Sequence, residues 1–490
     1  MVSVCFYLHT HQPLRLKNFR IFDIGKEKNY FDEERNRMYL ERIIKKSYIP
    51  TNQILLDLIH KTDGKFKVSF SITGVLLEQL ENYPKVLESF KKIIDTGCCD
   101  LVGETYYHSL ASVFSLNEFE RQIKKQEKKL KEVFGIKPKI FRNTELVYQN
   151  EIGKFVEGLG YKGILAEGWD KVLEWRSPCF VYKGKDSNIC VLLKHYKLSD
   201  DIAFRFSERK WGGWPLTADK FSNWIDKHNG NGNIINLFMD YETFGEHQWK
   251  ETGIFEFLKH FPLKVLERGN EFVTTAESIK KFKPVAEIDF QNIVSWADTE
   301  RDLSAWIGNR MQQTALSEIY RLEKEALKYG DRKLIDNWRK LQISDHFYYM
   351  CTKWFADGDI HKYFNPYKTP YDCFIIFMNA LNDLKLRLEY IKKIKTNYMS
   401  KRFLEEVPRG SEFYCKDGRV FKKLEELAQA LKDMDAKTFL HHVNEEKNDF
   451  ENWIRDVVGD IVLANRIKRA KKQSTIARAI SARIARLNLL

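Results

Sequence analysis

The chain has 490 residues, 43% hydrophobic and 14% aromatic, enough to bury a large core and more than one domain usually holds. Eight cysteines are scattered without a CxxC spacing, no basic n-region precedes the first apolar run, and no stretch reaches the roughly 18 apolar residues of a membrane helix, so no disulfide scaffold, signal peptide or membrane span is expected, and a cytoplasmic protein is. Much of the net charge of +13 lies at the end, where five Arg, three Lys and no acid follow Ile461, so the main body is only mildly basic and no nucleic-acid partner is expected.

In chain order, residues 1–285 alternate short β-rich runs with helical patterns. The runs fall at 2–8, 66–72, 100–103, 138–142, 162–166, 234–240 and 271–275, with helical segments such as PKVLESFKKIIDTG and NEFERQIKKQEKKLKEVFG between them. This alternation predicts a parallel α/β sheet covered by helices, and seven strands over this length favour a barrel. A further β-pair, CFVYKGKDSNICVLLKHY, reads as an insertion before the sixth strand. Residues 286–405 have a 3.6-residue periodicity without strand punctuation, which predicts a helical domain. VPRGSE (407–412) reads as a linker, and residues 410–490 as a small accessory domain with a hairpin, short helices and a basic helical tail. In that tail Ile476, Ile480, Ile484 and Leu487 share one face, with Arg478, Arg483 and Arg486 elsewhere on the wheel. The pattern suits a helical partner, an anionic surface or a solvated terminus.

In a parallel barrel, functional side chains gather at the C-terminal ends of the strands. The predicted strands run into HTHQP, GETYYHSL, FRNTEL, AEGWD and FMDYETFGEHQW, so five of the seven end in clusters of His, Asp, Glu, Arg and Trp. Glu145 lies just beyond the fourth strand, beside Arg142 and Asn143. Asp240 ends the sixth, with Glu242 two residues on and His247 further along the loop. Two acids facing each other across a cleft are what glycosidic cleavage needs: one stays ionised, the other carries a proton for the leaving oxygen. Arg142 is expected either to help keep Glu145 ionised or to pair with a structural acid. Trp211 and Trp214, around two glycines in KWGGWP, either offer flat faces to sugar rings or pack the barrel's helices, and His108 adds a polar contact. Of the two first-strand imidazoles, His11 is expected at the site, with His9 turned the other way as a buried core residue.

The motifs HTHQP (9–13), VGETYYHSL (102–110), FRNTELVYQNEIG (141–153), LFMDYETFGEH (237–247) and WADTERDLSAWIGNRMQ (296–312) occur in the order found in glycoside hydrolase family 57, which the chain resembles over residues 1 to about 400. The resemblance implies an incomplete (β/α)7 barrel followed by a helical domain, and a retaining enzyme of the α-amylase type acting on α-1,4-glucans. It makes Glu145 the nucleophile and Asp240 the general acid/base, puts His11 close to the reacting sugar with His9 supporting it, and has the helical domain present Trp296, Asp298 and Glu300 toward the cleft. The same acids would serve a 4-α-glucanotransferase or a branching transglycosylase. Glu104 departs from the pattern, adding an acid near the mouth. The segment at about 412–470 resembles a small accessory domain of unknown function. Two readings of other classes remain. HTH closing a first strand also resembles the HxH of zinc amidohydrolases, in which His9 and His11 would bind Zn²⁺ with His108, His195 and Asp240 completing the set. The QP directly after the pair and the lack of a bridging Lys speak against it, and no metal or cofactor is expected. The other is a glucan-binding protein without turnover.

Overall fold

The computed structural model describes residues 1–353 and 358–488, which form two compact units. Met1–Leu327 and Asp331–Leu384 make the first; Lys328–Gly330 and Lys385–Leu490 make the second. No helix among the described residues is long and apolar enough to cross a membrane.

The first unit is built on ten strands: β1 (Ser3–Thr10), β2 (Val68–Ile72), β3 (Cys99–Leu101), β4 (Ile140–Arg142), β5 (Gly163–Glu167), β6 (Val181–Gly184), β7 (Cys190–Lys194), β8 (Ile234–Asp240), β9 (Glu271–Val273) and β10 (Glu287–Ile288). β1 is central and buried along its whole length, as a parallel strand covered on both faces should be. It pairs parallel with β8 from Ser3↔Ile234 to His9↔Asp240. Along its other edge it pairs with β9 at residues 3–5 and with β2 at residues 7–10. Parallel ladders continue from β2 to β3, and from β4 through β5 and β7 to β8. β3 and β4 are joined by a bridge at Gly103–Phe141 in place of a ladder. A Cβ on Gly103 would lie 2.6 Å from the Tyr161 hydroxyl, so only glycine lets the chain cross there. The result is a mostly parallel α/β sheet, not a closed barrel of continuous ladders.

The β-pair read as an insertion is the antiparallel hairpin β6–β7, but β7 is no appendage. It lies parallel between β5 and β8, and its residues Val191–Lys194 are all buried, which is why it joins the sheet.

Strand alternation decides what the sheet covers and what it offers. Val4, Phe6 and Leu8 of β1 enter the large apolar cluster under the helices, each burial contributing about 1.5–3 kcal/mol. Cys5 and Tyr7 enter a second cluster on the opposite face, with Val102, Ile140, Leu165 and Phe238. His9 and His11 continue that second face. Residues two apart on a strand share a side, so the expectation that His9 turns away from His11 is wrong.

The covering helices begin and end where local chemistry requires. Leu116–Phe134 opens with the Ser115 side chain accepting the Glu118 N–H and stops at Gly135, whose φ of +73° few other residues adopt. Its buried Phe119, Ile123, Gln126 and Leu130 recur at helical spacing. Residues beyond 285 contribute further helices to this unit, among them Arg310–Arg321, Arg332–Lys340 and Ser344–Tyr348.

The second unit holds an antiparallel pair, Phe413–Tyr414 with Val420–Phe421, and a small helical core that includes Leu427, Leu431, Phe450 and Ile454. Ile476 and Ile480 of the basic tail are fully buried in that core, Ile484 packs against it, and Arg483 pairs with Asp460 at 2.7 Å. The apolar face of the helix Gln473–Asn488 is thus covered within its own unit rather than frayed.

Candidate active site at the strand ends

The ends of β1, β4 and β8 bring together His9 and His11, Arg142 and Glu145, and Asp240; the segment after β3 adds His108. Glu145 follows β4 on a short turn, with φ of +57°, a conformation that costs a non-glycine residue about 1–3 kcal/mol. Neighbouring hydrogen bonds hold it there. Asn143 Nδ2 donates to the Val147 carbonyl and Ser112 Oγ, both at 2.9 Å, and the Trp296 N–H donates to the Glu145 carbonyl at 3.2 Å.

Three imidazoles stack on one another, His11 on His108 with ring centres 4.0 Å apart and His9 on His108 at 5.0 Å. Their partners order the protons. Thr73 Oγ1 accepts the Leu76 N–H at 3.3 Å and lies within hydrogen-bond distance, 2.9 Å, of His11 Nδ1. The Asp345 carboxylate can only accept, so His11 Nε2–H donates to its Oδ2 at 3.1 Å. Arg142 Nη1 lies 3.2 Å from His108 Nε2, and a guanidinium only donates, so His108 Nε2 is an acceptor and its Nδ1–H points at Ser344 Oγ, 2.9 Å away. The Ser344 hydroxyl is left to donate to Glu145 Oε1 at 3.3 Å. Burial, with the neighbouring His11 charge, pushes the His108 pKa down to about 3.

Both acids are displaced upward. Burial raises Glu145 to about 7 against the pull of Arg142; Asp345 and Asp240 add to the rise, and the Trp296 N–H opposes it. Burial raises Asp240 to about 6, opposed by Arg142 and Lys194. Each therefore titrates close to neutrality, where one can be charged while the other holds a proton. Arg142 does pull the Glu145 pKa down, but desolvation outweighs the guanidinium. The acids differ in their donors. Glu145 Oε2 accepts the Trp296 indole N–H at 2.8 Å and Oε1 the Ser344 hydroxyl. Among the described residues no side chain donates to the Asp240 carboxyl.

Ser344 and Asp345 were missed in the sequence, as was Lys194. The first two open the five-residue helix Ser344–Tyr348. Burial works to raise Asp345, but His11 and His108 hold it well below the usual carboxylate range. Lys194 ends β7, bound to Asp200 at 3.0 Å and 5.5 Å from the Trp296 ring. Glu104, expected near the mouth, is fully buried, 3.9 Å from His9 Nδ1, and burial raises it to about 8.

The other predicted residues are more dispersed. Trp296 is brought onto Glu145, whereas the Asp298 carboxylate is taken up by Lys353 and His361, both at 3.1 Å. Glu242 is buried, accepts hydrogen bonds from Tyr48 and Gln12, and is raised by burial to about 8. His247 packs edge-on against Phe364 at 5.4 Å. Trp211 leans on Trp224 at the margin of the apolar core, and Trp214 is 44% exposed; neither touches the two acids among the described residues. His195 caps the helix Tyr196–Ala203, grouped with Cys179 and His228 rather than with the stacked imidazoles. Metal-ligand atoms do converge at His9, Glu104 and His108, and at His11, His108 and Asp345. Both groups share His108, whose Nε2 faces the Arg142 cation at 3.2 Å, a poor setting for a second cation.

Comparisons with known proteins bear on the family and the fold. The family model for glycosyl hydrolase family 57 matches residues 5–291. A protein of Methanocaldococcus jannaschii, whose alpha-amylase designation is itself provisional, is 40% identical over 463 residues, covering 91% of this chain and 96% of its own length. A branching enzyme from Thermococcus kodakaraensis shares the fold at a TM-score of 0.54 and 16% identity, over 80% of this chain and 94% of that one. A 4-alpha-glucanotransferase from Thermococcus litoralis does so at 0.51 and 18%, over 86% of this chain and 62% of that one.

Proposed function

The chain belongs to glycosyl hydrolase family 57 and is a glycoside hydrolase or transglycosylase; from that premise we propose that it cleaves α-1,4-glucans by double displacement. Glu145 attacks the anomeric carbon, forming a glycosyl-enzyme ester, while protonated Asp240 gives its proton to the departing glycosidic oxygen. Asp240 then takes a proton from an incoming water as that water displaces Glu145, and the sugar leaves with its configuration retained. The observation that carries this assignment is the asymmetry of the two acids. Glu145 is met by an N–H and an O–H, which favour its anion against a burial that holds its pKa, at about 7, above that of Asp240, at about 6; Asp240 has no such donors among the described residues. Arg142 and Lys194 supply positive charge that favours the ionised forms of the acids. His11, held by Thr73 and Asp345, is placed to bond sugar hydroxyls.

If a glucan hydroxyl replaces water in the second step, the same residues perform transfer. The products from maltoheptaose distinguish the two outcomes. Shorter sugars alone mean hydrolysis; chains longer than the substrate mean transfer. Glu145→Gln is expected to bind maltoheptaose and leave it intact. Turnover by that variant would remove Glu145 from the nucleophile's role.

A further inference from the structure

Cys179, His195 and His228 place their ligand atoms within 4.8 Å of one another, outside the strand-end network. They come from three separate places in the fold. Cys179 precedes β6, His195 follows β7, and His228 lies between the helix Ala218–Asp226 and β8. The stretch carrying His228 is fastened onto Cys179: the Cys179 carbonyl accepts the N–H groups of Asn233 and Ile234 at 2.9 and 3.1 Å. A Cβ on Gly232 would come within 2.5 Å of the Cys179 Cβ, so glycine there is what allows the approach. Cys179 Sγ lies 3.6 Å from His228 Nδ1, and the two imidazole rings meet edge to face at 5.2 Å.

We propose that Cys179, His195 and His228 form a binding site for a thiophilic divalent cation, Zn²⁺ being the fitting one, with a water as fourth ligand. One thiolate and two neutral imidazoles are a ligand set that zinc accepts in tetrahedral geometry. Burial keeps both imidazoles neutral, pushing His195 down to about 4 and lowering His228, so neither must give up a charge to coordinate. Burial also keeps the Cys179 thiol protonated; forming the sulfur–metal bond releases that proton to solvent. His195 Nδ1 accepts the Leu198 N–H at 3.3 Å. Coordination through Nε2 requires the ring proton on Nδ1, which exchanges the Leu198 N–H bond for one donated to the residue's own carbonyl. His228 is half-buried and gives the ion a way in. The bound ion would pin the β6–β7 hairpin to the start of β8, a structural role that needs nothing from the catalytic assignment.

The test uses the full chain and Co²⁺ as a spectroscopic probe for Zn²⁺. Wild type titrated with Co²⁺ is expected to develop a thiolate-to-cobalt charge-transfer band and tetrahedral d–d bands that saturate at one ion per chain and that Zn²⁺ abolishes. Cys179→Ser is expected to lose the charge-transfer band, and His228→Gln, at a half-exposed position that should not disturb folding, to weaken cobalt binding at least tenfold. Cys190→Ser is expected to keep the full signal. Zn²⁺ should raise the Tm of wild type and leave that of Cys179→Ser unmoved. A wild type without the band, or a band that survives Cys179→Ser, overturns the site and leaves a hydrogen-bonded thiol–imidazole pair.

Discussion

In the second unit, buried charges find their partners: Asp460 meets Arg483 at 2.7 Å, Glu451 meets Arg455 at 2.8 Å, and His442 meets Asp449 at 3.0 Å. At the strand ends of the first unit the balance is different. Arg142 is fully buried, yet its Nε and Nη2 have no hydrogen-bond partner among the described residues, and three acids around it, Glu104, Glu145 and Asp240, are all pushed upward by burial. A buried pair that satisfies itself serves the fold. A buried group of charges that does not satisfy itself costs stability, and such groups concentrate where a substrate completes them.

This contrast predicts opposite responses to removing one member of each group. The largest effect belongs to Glu145→Gln, which should lower kcat/KM by about 10⁴-fold or more, since the proposed double displacement has no covalent route without this carboxylate. Its Tm should stay level or rise, because an ionisable group leaves a desolvated site. Arg483→Ala should do the reverse, leaving Asp460 buried at 1% exposure without its cation. The cost is about 3 kcal/mol of unfolding free energy, read by denaturant melts, with kcat/KM on maltoheptaose unchanged. A Glu145→Gln protein that fails to fold, or an Arg483→Ala protein as stable as wild type, would erase the distinction between the two regions.

The same contrast explains what could be read from the sequence. Arg142, Glu145 and Asp240 were legible because a parallel strand must end somewhere, and the residues just past its last buried position face the mouth of the sheet. His9 was misplaced although the rule was at hand: Cys5, Tyr7, His9 and His11 are all odd positions of one strand register. Ser344 and Asp345 follow no strand and lie about two hundred residues from Glu145, so only tertiary packing of a five-residue helix brings them in. The visible trace was a Ser-Asp-His run between Ile343 and the aromatic-rich FYYM, a polar interruption in a stretch otherwise bound for the core. Asp298 was assigned to the cleft with its motif neighbour Trp296; the indole reaches Glu145, while the Asp298 carboxylate is held by Lys353 and His361. The role of β7 was hidden by its hairpin, since a β-pair with a short turn gives no sign that one of its arms also runs parallel to two distant strands.

The smallest predicted effect tests the asymmetry of the acids most closely. Trp296→Phe removes the indole N–H from Glu145 Oε2 while keeping an aromatic ring beneath Arg142, and the backbone N–H to the Glu145 carbonyl is untouched. A hydrogen bond to a charged group contributes about 1.5–3 kcal/mol, so kcat/KM should fall roughly tenfold or somewhat more. The pH profile carries the sign. The N–H donor lowers the Glu145 pKa by favouring its anion; without it, the folded-state pKa moves further above about 7. The nucleophile must be ionised to attack, so the acid limb of kcat/KM should shift to higher pH and the deficit should be greatest on the acid side. A tryptophan that only packs against the acid would, when replaced, lower the rate evenly across the profile and leave the limb where it was. Were the roles reversed, with Glu145 the proton donor, a raised Glu145 pKa would instead extend activity on the alkaline side. The direction in which the limb moves therefore tells which of the two acids must lose its proton before a glucan can be cut.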